Sequence, residues 1–350
     1  MKSPPSPSPS LRGRGTSYSS PSQGEVGRGW TILQGISVLV TGATGFIGSH
    51  LAERLVAEGA EVTLAVEPGA SQANVASILD KVRVHEVDLR EGQTVQRLVR
   101  ECQPSKVYHL AAVGVTEPGI DPTLAVQVNV LGTLNLLEAL SETDCDCFVN
   151  TGTCYEYGHN DPPMREDQMV DPINTYAASK SAAWLFCNMY HRTRGYPIVT
   201  VRPFTVYGPR QGERALIPQT ILSALRGAEG LAKDFAMTGG EQTRDFTYVD
   251  DVVEGYIRAS LSEKAIGQTI NLGTGEERPI KDVVLKTLKL MGNPVKPLIG
   301  ALPYRPREIW RLYSDSSKAR ELLGWQPQLS LEDGLRKTIA WYTEKSESFR

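Results

Sequence analysis

From residue 36 onward, short continuous apolar runs alternate with stretches in which apolar residues recur every three or four positions. The run 36–41, ISVLVT, is rich in β-branched residues and predicts a buried strand. The segment after it carries Ile47, Leu51, Leu55 and Val56 on one stripe and ends at Gly59, which predicts a helix. The same reading places strands at 61–66, 82–89, 106–112, 146–153 and 197–203. Helices are predicted at 94–102, 128–140 and 174–194, with Pro104 breaking the first of these. Strands that alternate with helices imply βαβ crossovers, so the fold class is α/β: a doubly wound parallel sheet with helices on both faces. Beyond 203 the alternation loosens. Helices at 215–227, 250–260, 279–291 and 331–342 are joined by short strands such as 268–273, and predict a smaller C-terminal α/β lobe over the C-terminal edge of the sheet.

Residues 1–29 are Ser-, Pro- and Gly-rich and almost free of apolar side chains. Such a segment cannot bury enough surface to offset its ordering entropy, and it is expected to be a disordered tail. It has no apolar stretch of the secretory type. The domain reading is therefore a tail at 1–29, a doubly wound α/β domain at 30–203 and a smaller lobe mainly at 204–345, with the last two interleaved.

The 350 residues are 40% hydrophobic and 22% charged, with a formal net charge of −3. No basic excess points to nucleic acid or an anionic membrane as the main partner. No continuous apolar run approaches 18 residues, so no spanning helix is expected. The five cysteines are odd in number and form no CxxC pair. They read as free thiols in a reducing, cytoplasmic setting rather than as disulfides or a metal site.

TGATGFIGSH, 41–50, spaces Gly42, Gly45 and Gly48 by threes between a predicted strand and a predicted helix. There the glycines let the backbone turn tightly, and the helix start offers free N–H groups to a diphosphate. Phe46 and Ile47 lie inside this loop. The second strand ends at Val66 and Glu67, with no Arg beside them in the sequence. A carboxylate there repels a 2′-phosphate, which favours NAD over NADP. In YAASK, Tyr176 and Lys180 stand four apart and share a helix face. A cation so placed lowers the pKa of a phenol. The preceding strand offers two hydroxyls, Thr151 and Thr153, of which Thr153 is preferred. His109 is read as a packed residue, and Asp250 and Asp251 as helix N-caps.

TGATGFIGSHL, VYHLAA, NVLGTLNLLEA, YAASK, RPFTVYGPRQ, GGEQTRDFTYVDDVV, NLGTG and LLGWQPQLSLEDGL together resemble the extended short-chain dehydrogenases/reductases of the NAD-dependent epimerase/dehydratase family, which act on nucleotide sugars. The resemblance spans 36–342. It implies Thr153, Tyr176 and Lys180 as catalytic residues. It implies Asp88 and Leu89 beside the adenine, and Leu110, Ala111 and Ala112 lining the cofactor. Asn129 and Pro203 would lie near the nicotinamide, with Arg244 on the substrate's diphosphate. Arg305, Arg307 and Asn271 are further substrate candidates. A homodimer through the helices after the fourth and fifth strands is also implied, for which Leu131, Leu134, Trp184, Leu185 and Met189 are suited. In 4,6-dehydratases of the family the Thr is followed by Asp-Glu, and in UDP-glucuronate decarboxylases a Glu stands two residues on. Here Cys154 and Tyr155 follow. The expectation is therefore a nucleotide-sugar 4-epimerase with bound NAD. The alternative is an NAD(P)H-dependent 4-keto-6-deoxysugar reductase, ahead of dehydration, decarboxylation or dinucleotide binding without turnover.

Overall fold

The computed structural model describes residues 33–115 and 119–345. The expected tail at 1–29 lies outside the described residues. Seven parallel strands form one sheet: β1 (Ser37–Thr41), β2 (Glu61–Val66), β3 (Arg83–Glu86), β4 (Lys106–His109), β5 (Cys147–Thr151), β6 (Ile198–Pro203) and an outer strand, Thr269–Leu272. Their spatial order is Thr269–Leu272, β6, β5, β4, β1, β2, β3. Chain order therefore reverses between β1 and β4, and a crevice opens there at the strands' carboxyl ends.

Successive side chains on a strand point to opposite faces. Val38 and Val40 enter one buried apolar cluster and Leu39 the other. Tyr108 and Val107 on β4 divide in the same way. This is why the strands read as unbroken apolar runs: both faces are covered. α1 (Phe46–Ala57), α2 (Gly92–Cys102), α3 (Pro122–Leu140) and α4 (Thr175–Arg194) supply much of that cover. Within α3, residues Val126–Leu131 are π-helical.

α3 bears on the expectation that no helix spans a membrane. The helix has 19 residues and a mean hydropathy of 1.3 over an 18-residue window, long and apolar enough to cross a membrane by length and composition. Half of it is buried in the fold, and Asn129, Thr133 and Asn135 bond to neighbouring protein groups. That is how the core helix of a globular domain behaves. Two dimer candidates also prove to be packed. Leu134 lies against the core, and the Trp184 indole donates to Thr269 Oγ1 at 2.8 Å. Leu131, Leu185 and Met189 are exposed.

The smaller lobe contains helices Leu216–Ala228 and Ile280–Leu290. They pack on a two-stranded ribbon, Asp234–Met237 with Lys296–Ile299, around Phe235, Met237, Val284 and Leu288. The lobe is not a separate run of chain, because Val249–Leu261 and Thr269–Leu272 return to the large sheet. Asp250 and Asp251 sit in the first turn of Val249–Leu261 but are not its caps. The N-cap position belongs to Tyr248, and the Asp251 carboxylate accepts from the Gln328 and Leu329 amides at 3.0 and 3.1 Å.

Asp245 joins the two parts. Its buried carboxylate accepts from Thr274 N and Oγ1, Gly275 N, and Ser314 N and Oγ1 at 2.6–3.1 Å. Asp245→Ala orphans the buried Ser314 donors and removes the anchor of the 274–275 turn, and is expected to cost about 3 kcal/mol. Thermal unfolding followed by circular dichroism should show a midpoint lowered by several degrees, and an unchanged midpoint would remove Asp245 as the link.

Candidate active site

The glycine loop occupies the crevice. Gly42 has φ +70, and a Cβ on it would stand 2.6 Å from the Ala111 amide nitrogen. Only glycine lets the end of β1 approach the end of β4 this closely. A Cβ on Gly48 would overlap the Gly42 carbonyl oxygen. Gly45 is exposed and takes the N-cap position of α1 with no side-chain cap, so amides of the first helical turn remain free to meet an anion. Phe46 and Ile47 open the helix, half-buried. Leu110, Ala111 and Ala112, also half-buried, form the opposing wall.

His109 supports that wall from behind. Its Nδ1 lies 2.7 Å from Thr41 Oγ1 and its Nε2 2.8 Å from Thr133 Oγ1. The Thr133 hydroxyl donates to the Asn129 carbonyl, so Nε2 is the donor to Thr133 and Nδ1 accepts from Thr41. Burial, and then the nearby Lys180 charge, push this imidazole down to about 3, so it stays neutral and structural. Asn129 closes on the Val113 amide and carbonyl and donates to Ser179 Oγ at 2.9 Å. It thereby ties the end of β4 to the residue between Tyr176 and Lys180.

At the adenine-side edge, Glu67 is exposed just beyond β2, and Leu89 is buried. Tertiary structure brings in a residue that the sequence order hid. Arg90 lies within the field of Glu67 and clasps the Asp88 carboxylate at 2.6–3.0 Å. These bonds hold Asp88 below the usual carboxylate range. An arginine is therefore present at this edge, and a carboxylate already occupies it.

Thr153, Tyr176 and Lys180 converge on the other side of the crevice. The Asn174 side chain caps α4 through the Ala177 amide at 2.8 Å, fixing where Tyr176 and Lys180 emerge one turn apart. Thr151 Oγ1 accepts from the Tyr256 hydroxyl at 3.0 Å, whereas Thr153 hydrogen-bonds the Tyr176 hydroxyl. The packing thus distinguishes the two threonines. Lys180 is 1% exposed, and its Nζ has no hydrogen-bond partner. Burial pushes it down to about 8 against the opposing pull of the Glu156 charge. Tyr176 behaves differently from the expectation of a lowered pKa. Burial, then Glu156, Cys154 and Tyr256, push its phenol up, and only the Thr153 bond opposes them. In the unliganded site the phenol is a proton holder. Pro203 is buried at the end of β6.

The site thus offers an uncapped helix start, a wall of Leu110, Ala111 and Ala112, and a buried ammonium with no hydrogen-bond partner. These features fit a dinucleotide, with its diphosphate on the glycine loop and its ribose hydroxyls at Lys180.

Residues 39–338 match the model of the family described as GDP-mannose 4,6 dehydratase. The chain is 34% identical to a UDP-glucose 4-epimerase of Mycolicibacterium smegmatis, over 88% of this chain and 99% of that protein. The chain belongs to the NAD-dependent epimerase/dehydratase family. A dTDP-glucose 4,6-dehydratase of Xanthomonas campestris is 32% identical over 87% of this chain and 92% of its own, so identity alone does not separate the family's reactions. The structure of an epimerase from Methanothermobacter thermautotrophicus superposes with a TM-score of 0.84 at 30% identity, covering 92% of this chain and 96% of that one. The UDP-glucuronic acid 4-epimerase of Bacillus cereus, solved with UDP-glucuronic acid and NAD, gives 0.77 at 31% identity, covering 88% and 99%.

Among the family's expected substrate residues, Arg244 is buried beside the turn that follows Thr153. It donates to the Ile309 carbonyl at 2.8 Å, to Glu308 at 2.7 Å and to the Tyr155 hydroxyl. A diphosphate reaching this guanidinium must displace or join the Glu308 carboxylate. Arg305 and Arg307 are exposed on the same strap, with Arg307 at φ +57. Asn271 does not fit a substrate role. It is fully buried, Oδ1 accepts from the Tyr157 hydroxyl at 2.7 Å, and Nδ2 donates to the Met164 carbonyl at 2.9 Å.

The sequence reading missed Glu156. It stands three residues after Thr153, outside the positions where the family's dehydratases and decarboxylases carry their carboxylates. Its carboxylate is fully buried and pairs with the fully buried Arg202 at 2.7 Å. Breaking such a pair costs about 3–5 kcal/mol. The carboxylate is committed to Arg202 and the Thr153 amide. Cys154 is no substitute, since burial pushes its thiol up to about 12. A Thr-x-x-Glu capping box was legible in TCYE, 153–156, and was the available signal.

Gly42→Ala is expected to weaken dinucleotide affinity at least tenfold, because the β1 and β4 backbones must part. Titration calorimetry with NAD on the folded variant checks this, and unchanged affinity would remove the glycine loop from the cofactor site.

Proposed function

We propose that this chain is a nucleotide-sugar 4-epimerase that retains NAD throughout its cycle. The observation that carries the reading is the chemistry beside Thr153. A hydroxyl, a phenol and a buried ammonium stand together, and the one carboxylate in the adjoining turn is locked to Arg202. That set can move a proton on and off a sugar hydroxyl, but it offers no free acid–base carboxylate for water loss. The UDP-glucose 4-epimerase relative and the NAD-containing 4-epimerase structure support the same reading.

Bound NAD would supply the hydride acceptor and donor at the sugar C4. Tyr176 must first be ionised, its proton leaving to solvent when the positive charges of Lys180 and bound NAD offset the effect of burial. As phenolate it then takes the C4 hydroxyl proton through the Thr153 relay and later returns it. The Thr153 hydroxyl orients that oxygen. Lys180 holds the nicotinamide ribose and puts positive charge beside the developing phenolate. Arg244 grips the diphosphate bidentately, and the sugar turns about that anchor to present its other face. Glu67 and the Asp88–Arg90 clasp disfavour a 2′-phosphate, in keeping with NAD rather than NADP. The exposed Leu131, Leu185 and Met189 suit a homodimer contact.

Protein purified without added cofactor and then denatured is expected to release about one NAD per chain, since an epimerase regenerates its cofactor. Chromatography with mass spectrometry checks this. An empty site, filled only on addition of NADH or NADPH, would overturn the epimerase in favour of the ketoreductase. With UDP-hexoses, Tyr176→Phe should lower kcat by at least ~100-fold with KM little changed, the size expected for loss of a general acid–base group. Retention of turnover would exclude Tyr176.

A further inference from the structure

The catalytic turn is built on charges that the proposed chemistry does not use. The Thr153 amide donates to Glu156 Oε1 at 2.7 Å, and Glu156 Oε2 accepts from Arg202 Nε at 3.0 Å. The Arg202 guanidinium lies 4.7 Å from the Trp184 ring centroid and 4.8 Å from that of Tyr157. Trp184 is on α4, one turn beyond Lys180, which is itself one turn beyond Tyr176. A single helix face thus carries the phenol, the ammonium and the ring that seats Arg202. Gly152 makes room for the pair, since a Cβ there would come within 2.6 Å of Glu156 Oε1 and 2.9 Å of Arg202 Cγ.

We propose that the buried Glu156–Arg202 pair positions this active site: it fixes the turn that presents the Thr153 hydroxyl, and it places the Glu156 carboxylate within the field of the unpartnered Lys180 ammonium. The proposal rests on reading Thr153, Tyr176 and Lys180 as the reacting constellation. Glu156 and Arg202 touch neither sugar nor cofactor in it. They are positioning residues, acting through Thr153 and Lys180.

The charge effect has a definite sign. The carboxylate favours the Lys180 ammonium and disfavours the Tyr176 phenolate. Removing it makes the phenol easier to ionise and the ammonium easier to lose, so both titrations move to lower pH. The other titratable or charged groups around the two residues remain in place: Cys154 on the turn, His109 on β4, Arg202 on β6, Tyr256 on Val249–Leu261, and Cys187 on α4. His109 is neutral across the working range.

Glu156→Gln separates charge from shape, because its amide oxygen can still accept from Thr153. Both limbs of the kcat/KM pH profile are expected to move about one unit toward acid, with kcat at the optimum down at least tenfold and KM for the nucleotide sugar within about threefold. Glu156→Asp keeps the charge and should retain the wild-type profile. A uniform loss at every pH, with both apparent pKa values unmoved, would reduce the pair to scaffolding and overturn the proposal. If Glu156→Gln does not fold, the double variant Glu156→Gln/Arg202→Gln places two amides in the same space. The same acidward shift, of at least about half a unit, is then expected.

A second readout needs no substrate. The ultraviolet phenolate titration of Tyr176, taken as the difference from Tyr176→Phe on the NAD-loaded protein, should move to lower pH in Glu156→Gln. A shift without any sugar turnover would leave this inference standing while the epimerase reading fails. An unmoved titration would overturn the inference whatever the turnover.

Discussion

The architecture depends on the place where β1 and β4 part. Parallel strands at a chain reversal leave a crevice, and here the crevice is so narrow that a single Cβ on Gly42 would reach the Ala111 amide. Everything that could hold a dinucleotide is arranged around this contact. The free start of α1 faces into it, the half-buried Leu110–Ala112 segment forms its far wall, and the Thr41–His109–Thr133 chain stiffens it from beneath. Asn129 then carries the same alignment across to α4, so the position of Tyr176 and Lys180 is referred back to the glycine loop through a short series of buried hydrogen bonds.

Electrostatics in the site follow a consistent pattern. Buried charges are costly unless partnered. Arg202 has Glu156, Arg244 has Glu308, and Asp245 has five protein donors. Lys180 Nζ is the exception, buried without a hydrogen-bond partner. Arg244 is the converse case: it is buried and already paired with the Glu308 carboxylate. One cation therefore waits for a partner, and another already holds an anionic one.

Much of this was legible in the chain. β1 and β2 carry apolar runs because both sheet faces are covered, and both were placed within a residue. The glycine spacing and YAASK are local patterns whose geometry follows from one turn or one helix. What could not be read locally was the company each residue keeps. The helix at 122–140 was too interrupted by polar residues to register as one apolar span, yet those polar groups are paired internally. Asn271 sits in the NLGTG motif, but its side chain is spent on Tyr157 and Met164. Arg90 is 23 positions from Glu67 and meets it only because β2 and β3 pair side by side.

The sequence by itself determined the alternating strands and helices, the glycine loop, and the one-turn spacing of Tyr176 and Lys180, because periodicity and short spacings act over a few residues. Only the tertiary structure decided which threonine meets the tyrosine, which arginine is already occupied, and that Glu156 is bound to Arg202 instead of being free to react. Those outcomes depend on burial and on partners 46 to 105 residues apart in the chain, and such separations leave no local pattern to read.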